Sequence, residues 1–219
     1  MGSDKQLELP VRYCWCDLET SDLGAPHLIS PVEIVLKVQE PDGSEDSLRQ
    51  LVQLLPGDIM SPGATETHGY SQEDTKDFMD PRFAIVELKR FLRQKVNRFD
   101  PQDKLLFSGY NAFFDYTTLR AWFERQGVEF FGAFFWWPPF DVMTWAAKKL
   151  APFRHNIPDF KLSTLAAFLG AQVDDKLLHG ASYDIELTQF IHRTLEGADH
   201  ERISSLVRQG NRISRKAAS

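Results

Sequence analysis

The stretch Cys16-Asp17-Leu18-Glu19-Thr20 constrains this chain more than any other. It closes the run Val11-Arg12-Tyr13-Cys14-Trp15-Cys16, whose β-branched and aromatic content predicts a strand over residues 11–17. Strand side chains alternate between faces, so Asp17 and Glu19 point the same way at the strand's end. Two adjacent carboxylates repel, and each raises the other's pKa unless a cation stands between them. Hard divalent cations such as Mg²⁺ take oxygen ligands of this kind. A plain polar strand end also fits Asp-x-Glu, so the remainder of the chain must decide between the two readings.

Residues 1–10 read as a polar lead-in. A second strand over 30–40 closes at the turn Pro41-Asp42-Gly43, and a third over 48–55 completes a β-meander. Residues 56–69 read as loop, and Ser71 with Glu73 and Asp74 resembles a helix start. Ile85, Leu88, Phe91, Leu92 and Val96 recur at helical spacing and predict a helix over 84–99 with a basic outer face. A short buried strand over 105–108 breaks at Gly109. Helical spacing resumes at Leu119, Trp122 and Phe123, with Gly127 as the C-terminal cap. Residues 140–149 begin as strand and continue as helix. An amphipathic helix over 162–169 is capped at Gly170, and 181–195 is the last strong helix. Strands first, helices later and one strand–helix unit between them predict an α/β (or α+β) domain with one central sheet.

Two later segments carry further carboxylates. In Gly109-Tyr110-Asn111-Ala112-Phe113-Phe114-Asp115, Asn111 is placed to cap a helix through its side chain. Asp115 then falls in the first turn, where the helix dipole favours an anion. In His179-Gly180-Ala181-Ser182-Tyr183-Asp184, the helical spacing of Asp184 with Leu187, Ile191 and Leu195 puts Asp184 on the inward, apolar face. Burying an unpaired charge is costly, so Asp184 needs a partner, and a metal ion would serve. His179 precedes that helix on a glycine-containing turn, free to reach over the same place.

Composition narrows the choice of partner. A length of 219 residues with 42% hydrophobic and 26% charged residues describes a globular domain with a sizeable core. There is no charged-then-apolar leader and no long apolar run, so no membrane association and a cytoplasmic location are expected. Cys14 and Cys16 sit two apart on one strand, which disfavours a disulfide between them and suits a reducing compartment. The net charge of −6 is not the footprint of a protein that grips duplex DNA by its phosphates. From Glu201 to Ser219, however, five basic residues (Arg202, Arg208, Arg212, Arg215, Lys216) face one acidic residue, a basic tail read as a solvated or frayed end.

Taken in order, Asp17-x-Glu19, Asn111-x-x-Phe114-Asp115 and His179-x-x-x-x-Asp184 resemble the DEDDh 3′→5′ exonucleases. That family includes bacterial proofreading subunits, ribonuclease T, oligoribonuclease and exonuclease I. The motifs span residues 17–184, which is 168 of 219 positions. Pro62-Gly63-Ala64 with Thr67-His68-Gly69-Tyr70, Phe140-Asp141-Val142-Met143, and Lys161-Leu162-Ser163-Thr164-Leu165 are similar to the family's connecting motifs. Tyr110 stands where His is frequent, as in exonuclease I-like members, and Tyr70 stands where Ile is usual.

The resemblance implies a ribonuclease-H-like fold, a mixed five-stranded sheet flanked by helices, with the exonuclease domain over 11–200 and the basic tail over 201–219. It implies that Asp17, Glu19, Asp115 and Asp184 hold two Mg²⁺ or Mn²⁺ ions, and that His179 is the general base, since an ordinary imidazole titrates near ~6.5. Leu18, Thr20, His68, Asn111 and Phe114 are the implied substrate contacts. The implied reaction is metal-dependent hydrolysis of the terminal phosphodiester of single-stranded DNA or RNA to nucleoside 5′-monophosphates. Some relatives are homodimers. The alternative is a proofreading or processing subunit that acts when docked on a polymerase or RNA-processing partner. Tyr70, Phe114, Trp136 and Trp137 are candidates for stacking on bases, although Trp136 and Trp137 fit equally a place in the core or a role covering the sheet edge.

Overall fold

The computed structural model of the chain describes residues 10–217, with side chains through residue 210. Its centre is a five-stranded sheet in the order β3-β2-β1-β4-β5. The strands are β1 (Tyr13–Thr20), β2 (Pro31–Gln39), β3 (Glu45–Leu51), β4 (Leu106–Gly109) and β5 (Phe140–Asp141). The first three form an antiparallel meander, while β4 and β5 add in parallel on the other side of β1. The sheet is therefore mixed and five-stranded, as expected.

Helices cover both faces. They are α1 (Pro62–His68), α2 (Pro81–Lys95), α3 (Ala112–Arg125), α4 (Val142–Lys149), α5 (Leu162–Phe168), α6 (Ala181–Leu195) and α7 (His200–Ala217). The pleat of β1 sends Cys14, Cys16 and Leu18 into a core with Leu88 and Leu92 of α2 and Leu119, Trp122 and Phe123 of α3. Trp15, on the other face, packs in a second core with Ala146 of α4, Leu165 of α5 and Ile185 and Ile191 of α6. Asp17 and Glu19 share that second face.

Several sequence expectations shift. β1 runs on to Thr20 because β2 keeps pairing with it, Asp17 opposite Val35 and Glu19 opposite Glu33, with a bulge only at Glu19/Thr20. The two carboxylates thus sit inside the strand. The stretch read as loop over 56–69 contains α1: Ser61 Oγ accepts from Ala64 N–H at 3.2 Å, Pro62 occupies the first turn and Gly69 ends it at φ 83°. All three signals stand in the sequence. The start expected at Ser71 is a one-turn 3-10 helix, Asp74–Asp77. α2 begins earlier than expected because Asp80 caps it, accepting from Arg82 N–H at 2.8 Å. The strand–helix step at Asp141 holds, with Asp141 Oδ1 accepting from Thr144 N–H at 3.0 Å.

Beyond α6 the chain re-enters helix as α7. Ile203 and Val207 are buried in the second core, and a Cβ added at Gly210 would lie 2.5 Å from the Phe168 carbonyl oxygen. Residues 1–9 of the lead-in, and the side chains of Arg212, Arg215 and Lys216, lie outside the described residues. Among the described residues no helix is long and apolar enough to cross a membrane.

Candidate active site

The carboxylates meet on the second face of the sheet, along the C-terminal half of β1. α6 crosses the second face of the sheet and carries Asp184 in its first turn. Ligand oxygens of Asp17, Glu19 and Asp184 all lie within 4.8 Å of one another. Asp115 comes from a different direction. Pairing of β4 with β1 ends at Trp15–Ser108, and beyond it the edge of β1 faces the start of α3. There Asp115 Oδ1 accepts from Leu18 N–H at 3.1 Å and is 4% exposed. The approach of the strands is close: a Cβ at Gly109 would stand 2.8 Å from the Cys16 carbonyl oxygen. Gly109→Ala is therefore expected to push β4 from β1 beside Asp17 and to cost about 1–3 kcal/mol in denaturant unfolding, the usual size of an overpacking strain.

Like charges in a buried place shape the electrostatics. Burial, then the charges of Asp115, Asp184, Glu19 and Glu33, hold the Asp17 carboxyl well above the usual range. Burial followed by Asp184, Glu33 and Asp115 pushes Glu19 up to about 8. Burial raises Asp184 to about 6, against the pull of the His179 imidazole and its backbone N–H. Burial raises Asp115 as well, eased by the Leu18 N–H. Asp184 Oδ1 is buried with no hydrogen-bond partner. A cluster of oxygen donors, repelling one another and including one unsatisfied buried atom, fits a hard divalent cation.

His179 is exposed at the turn before α6, in the left-handed region at φ 62°, and acts electrostatically on both Asp184 and His68. His68, in the last turn of α1, approaches the Thr20 carbonyl oxygen with Nε2 at 3.2 Å, and its Nδ1 accepts from Tyr70 N–H at 3.1 Å. With Nδ1 accepting, Nε2 carries the proton and donates to Thr20. Burial lowers its pKa, with a further push from the charge of His179.

Leu18, Thr20, His68 and Phe114 line one pocket of about 310 Å³ with Glu19 and Ala64. Asn111 is not among its lining residues, and the cap expected from its side chain does not form. Asn111 is in the left-handed region at φ 62°, and its carbonyl, not its amide, accepts from Phe114 N–H at 2.9 Å. Trp136 and Trp137 are 42% and 62% exposed, so neither is core. Trp137 packs edge-on against Phe113 of α3 at 5.8 Å between centroids, while Trp136 turns toward Lys104.

Glu33 joins the site from outside the three sequence motifs. It is 2% exposed, lies opposite Glu19 across β1 and β2, and is bonded by Arg49 Nε at 2.6 Å and Tyr70 OH at 3.1 Å. The signal was available: a lone acid inside the apolar run Val32-Glu33-Ile34-Val35-Leu36.

No protein-family model and no curated protein matches the sequence. Solved structures do. Exonuclease I of E. coli, in its zinc-bound complex with single-stranded DNA, superposes with a TM-score of 0.68 at 17% identity over 90% of this chain. The same enzyme with a dT13 oligonucleotide gives 0.67 at 16% identity over 85%, and with a dA16 oligonucleotide 0.69 at 16% over 89%. The chain spans about 42% of the length of that protein. The fold is accordingly the ribonuclease-H-like one.

Proposed function

We propose that this protein is a divalent-metal-dependent 3′→5′ exonuclease acting on single-stranded nucleic acid. The observation that carries the reading is the meeting of Asp17, Glu19 and Asp184 oxygens within 4.8 Å, beside a pocket, in the fold of exonuclease I. Asp17, Glu19 and Asp184 would hold the metal directly, with Asp115 supporting from the α3 side. Metal bound there would supply positive charge that favours ionisation of an attacking water and departure of the leaving oxygen. The 3′-terminal nucleotide occupies the pocket, between Leu18 and Phe114, with the Thr20–His68 pair as its wall. The imidazole of His179 takes the proton of the attacking water, whose oxygen bonds to phosphorus as the bond to the 3′ oxygen breaks. A nucleoside 5′-monophosphate leaves, and the freed 3′ oxygen takes a proton from solvent to become the new 3′ hydroxyl. The exposed rings of Trp137 and Phe113, packed edge-on at 5.8 Å, suit stacking of further bases. Neighbours solved with dT13 and dA16 make single-stranded DNA the first substrate to try, with RNA alongside.

The test is degradation of 5′-labelled single strands with Mg²⁺, Mn²⁺ or EDTA. A ladder shortening from the 3′ end and abolished by EDTA is expected. His179→Ala should lower kcat by about 10²-fold or more while Mn²⁺ affinity, read by calorimetry, stays within a factor of about three. Metal binding without any ladder would count against a free-standing nuclease and for a subunit that works docked on a partner.

A further inference from the structure

We infer that Arg49 positions substrate by taking a backbone phosphate of the strand at the rim of the carboxylate cluster, an inference that rests on the nuclease reading of that cluster. Arg49 lies on β3 opposite Val35, which itself lies opposite Asp17. Residues paired across strands share a face, so Arg49 rises on the same side as the carboxylates. Its inner edge is fixed: Nε donates to Glu33 Oε1 at 2.6 Å and Nη2 to Tyr70 OH at 3.3 Å, while Tyr70 OH donates to Glu33 Oε2 at 3.1 Å. Its side chain is nevertheless 53% exposed, against 2% for Glu33. The guanidinium is thus a planar fork, held along one edge by two partners and open along the other.

That geometry suits a phosphodiester. Arginine presents donors in a fixed plane that matches phosphate oxygens, and a preorganised fork loses little freedom on binding. The need is electrostatic. A strand reaching this site passes the carboxylates Asp17, Glu19, Asp115 and Asp184 in a chain of net charge −6, while Glu33 is already answered by Arg49. A cation at the rim offsets the repulsion. Glu33 takes one Arg49 contact, at Nε, and a second from Tyr70 OH, which leaves the outer N–H groups of the guanidinium unassigned to it. Tyr70, at a position where the family usually has Ile, adds a second anchor that fixes the plane of the fork.

Binding of a 5′-labelled oligothymidylate, followed by anisotropy across a salt series with Ca²⁺ in place of Mg²⁺, tests this. Arg49→Ala should weaken binding about tenfold, the size of one charge-assisted contact, and reduce the log–log salt slope by about 0.7, one single-strand phosphate. Arg49→Lys should recover the slope but only part of the affinity. Exposed Arg82, paired with Asp80 outside the site, is the charge-matched control, and R82A should keep the slope. Because R49A strands a buried carboxylate, the double variant E33Q/R49A is measured too, with melting to verify folding. If it still lacks affinity and slope, the phosphate contact stands. If it regains wild-type values, Arg49 serves Glu33 alone and the inference falls. A wild type that binds but releases no mononucleotide with Mg²⁺ would count against the free-standing nuclease reading, while a slope lost in both R49A and E33Q/R49A would still carry the phosphate contact.

Discussion

Replacing Asp17 with Asn is expected to lower metal-dependent release of mononucleotide by about 10³-fold, a loss of roughly 4 kcal/mol of transition-state stabilisation, while making the metal-free protein more stable. Both effects have one cause. Burial, and then the charges of Asp115, Asp184, Glu19 and Glu33, oppose the ionisation of Asp17. Asn keeps the shape and removes the charge. Without metal, at a pH where the neighbours are ionised, that relieves repulsion. About 1–2 kcal/mol of relief would raise Tm by several degrees in a domain of this size. With metal the variant loses a ligand, so the Mn²⁺-induced rise in Tm should shrink. Thermal scans of wild type and D17N, each with EDTA and with Mn²⁺, read both halves. Wild-type turnover in D17N, or a lower Tm in EDTA, would show that Asp17 is not a charge held under strain for a metal.

The second large effect is on pH. Asp184 and Glu19 have folded pKa values raised to about 6 and about 8, above those of the unfolded chain. Between the unfolded and folded values the folded state binds more protons, so stability falls as pH rises. In the metal-free protein stability should therefore be greatest near the unfolded carboxylate range. It should decline through about 6 as Asp184 ionises and again toward about 8 as Glu19 does. The Asp184 step alone amounts to about 3 kcal/mol at most, at 1.36 kcal/mol per unit. A saturating divalent cation should flatten the curve, because the ionised form is the one that coordinates. Denaturant unfolding at several pH values, with EDTA and with Mn²⁺, checks this. Stability in EDTA that rises from pH 5 to pH 8 would contradict the buried-carboxylate cluster.

Local rules carried much of this site. The period-two pleat alone places Asp17 beside Glu19, and helical spacing alone turns Asp184 to the inner face of a helix whose bounds, Ala181–Leu195, match those read from the residues. Even the overlooked α1 was written in Ser61, Pro62 and Gly69, because capping is chemistry between near neighbours. Other features belong to the tertiary structure. Asp17 and Asp184 are 167 positions apart, and only the packing of α6 across β1 brings their oxygens within reach. β1 runs past Asp17 because β2 pairs with it there. Asn111 gives up a side-chain cap for a left-handed backbone that swings Asp115 toward Leu18. Glu33, Arg49 and Tyr70 come from two strands and a loop, and their mutual bonds exist only because the meander and α1 fold over one another. Periodicity and capping act over a few residues, so sequence displays them. Burial of charge, and the partner that answers it, depend on what distant segments pack alongside, and only the folded chain decides that.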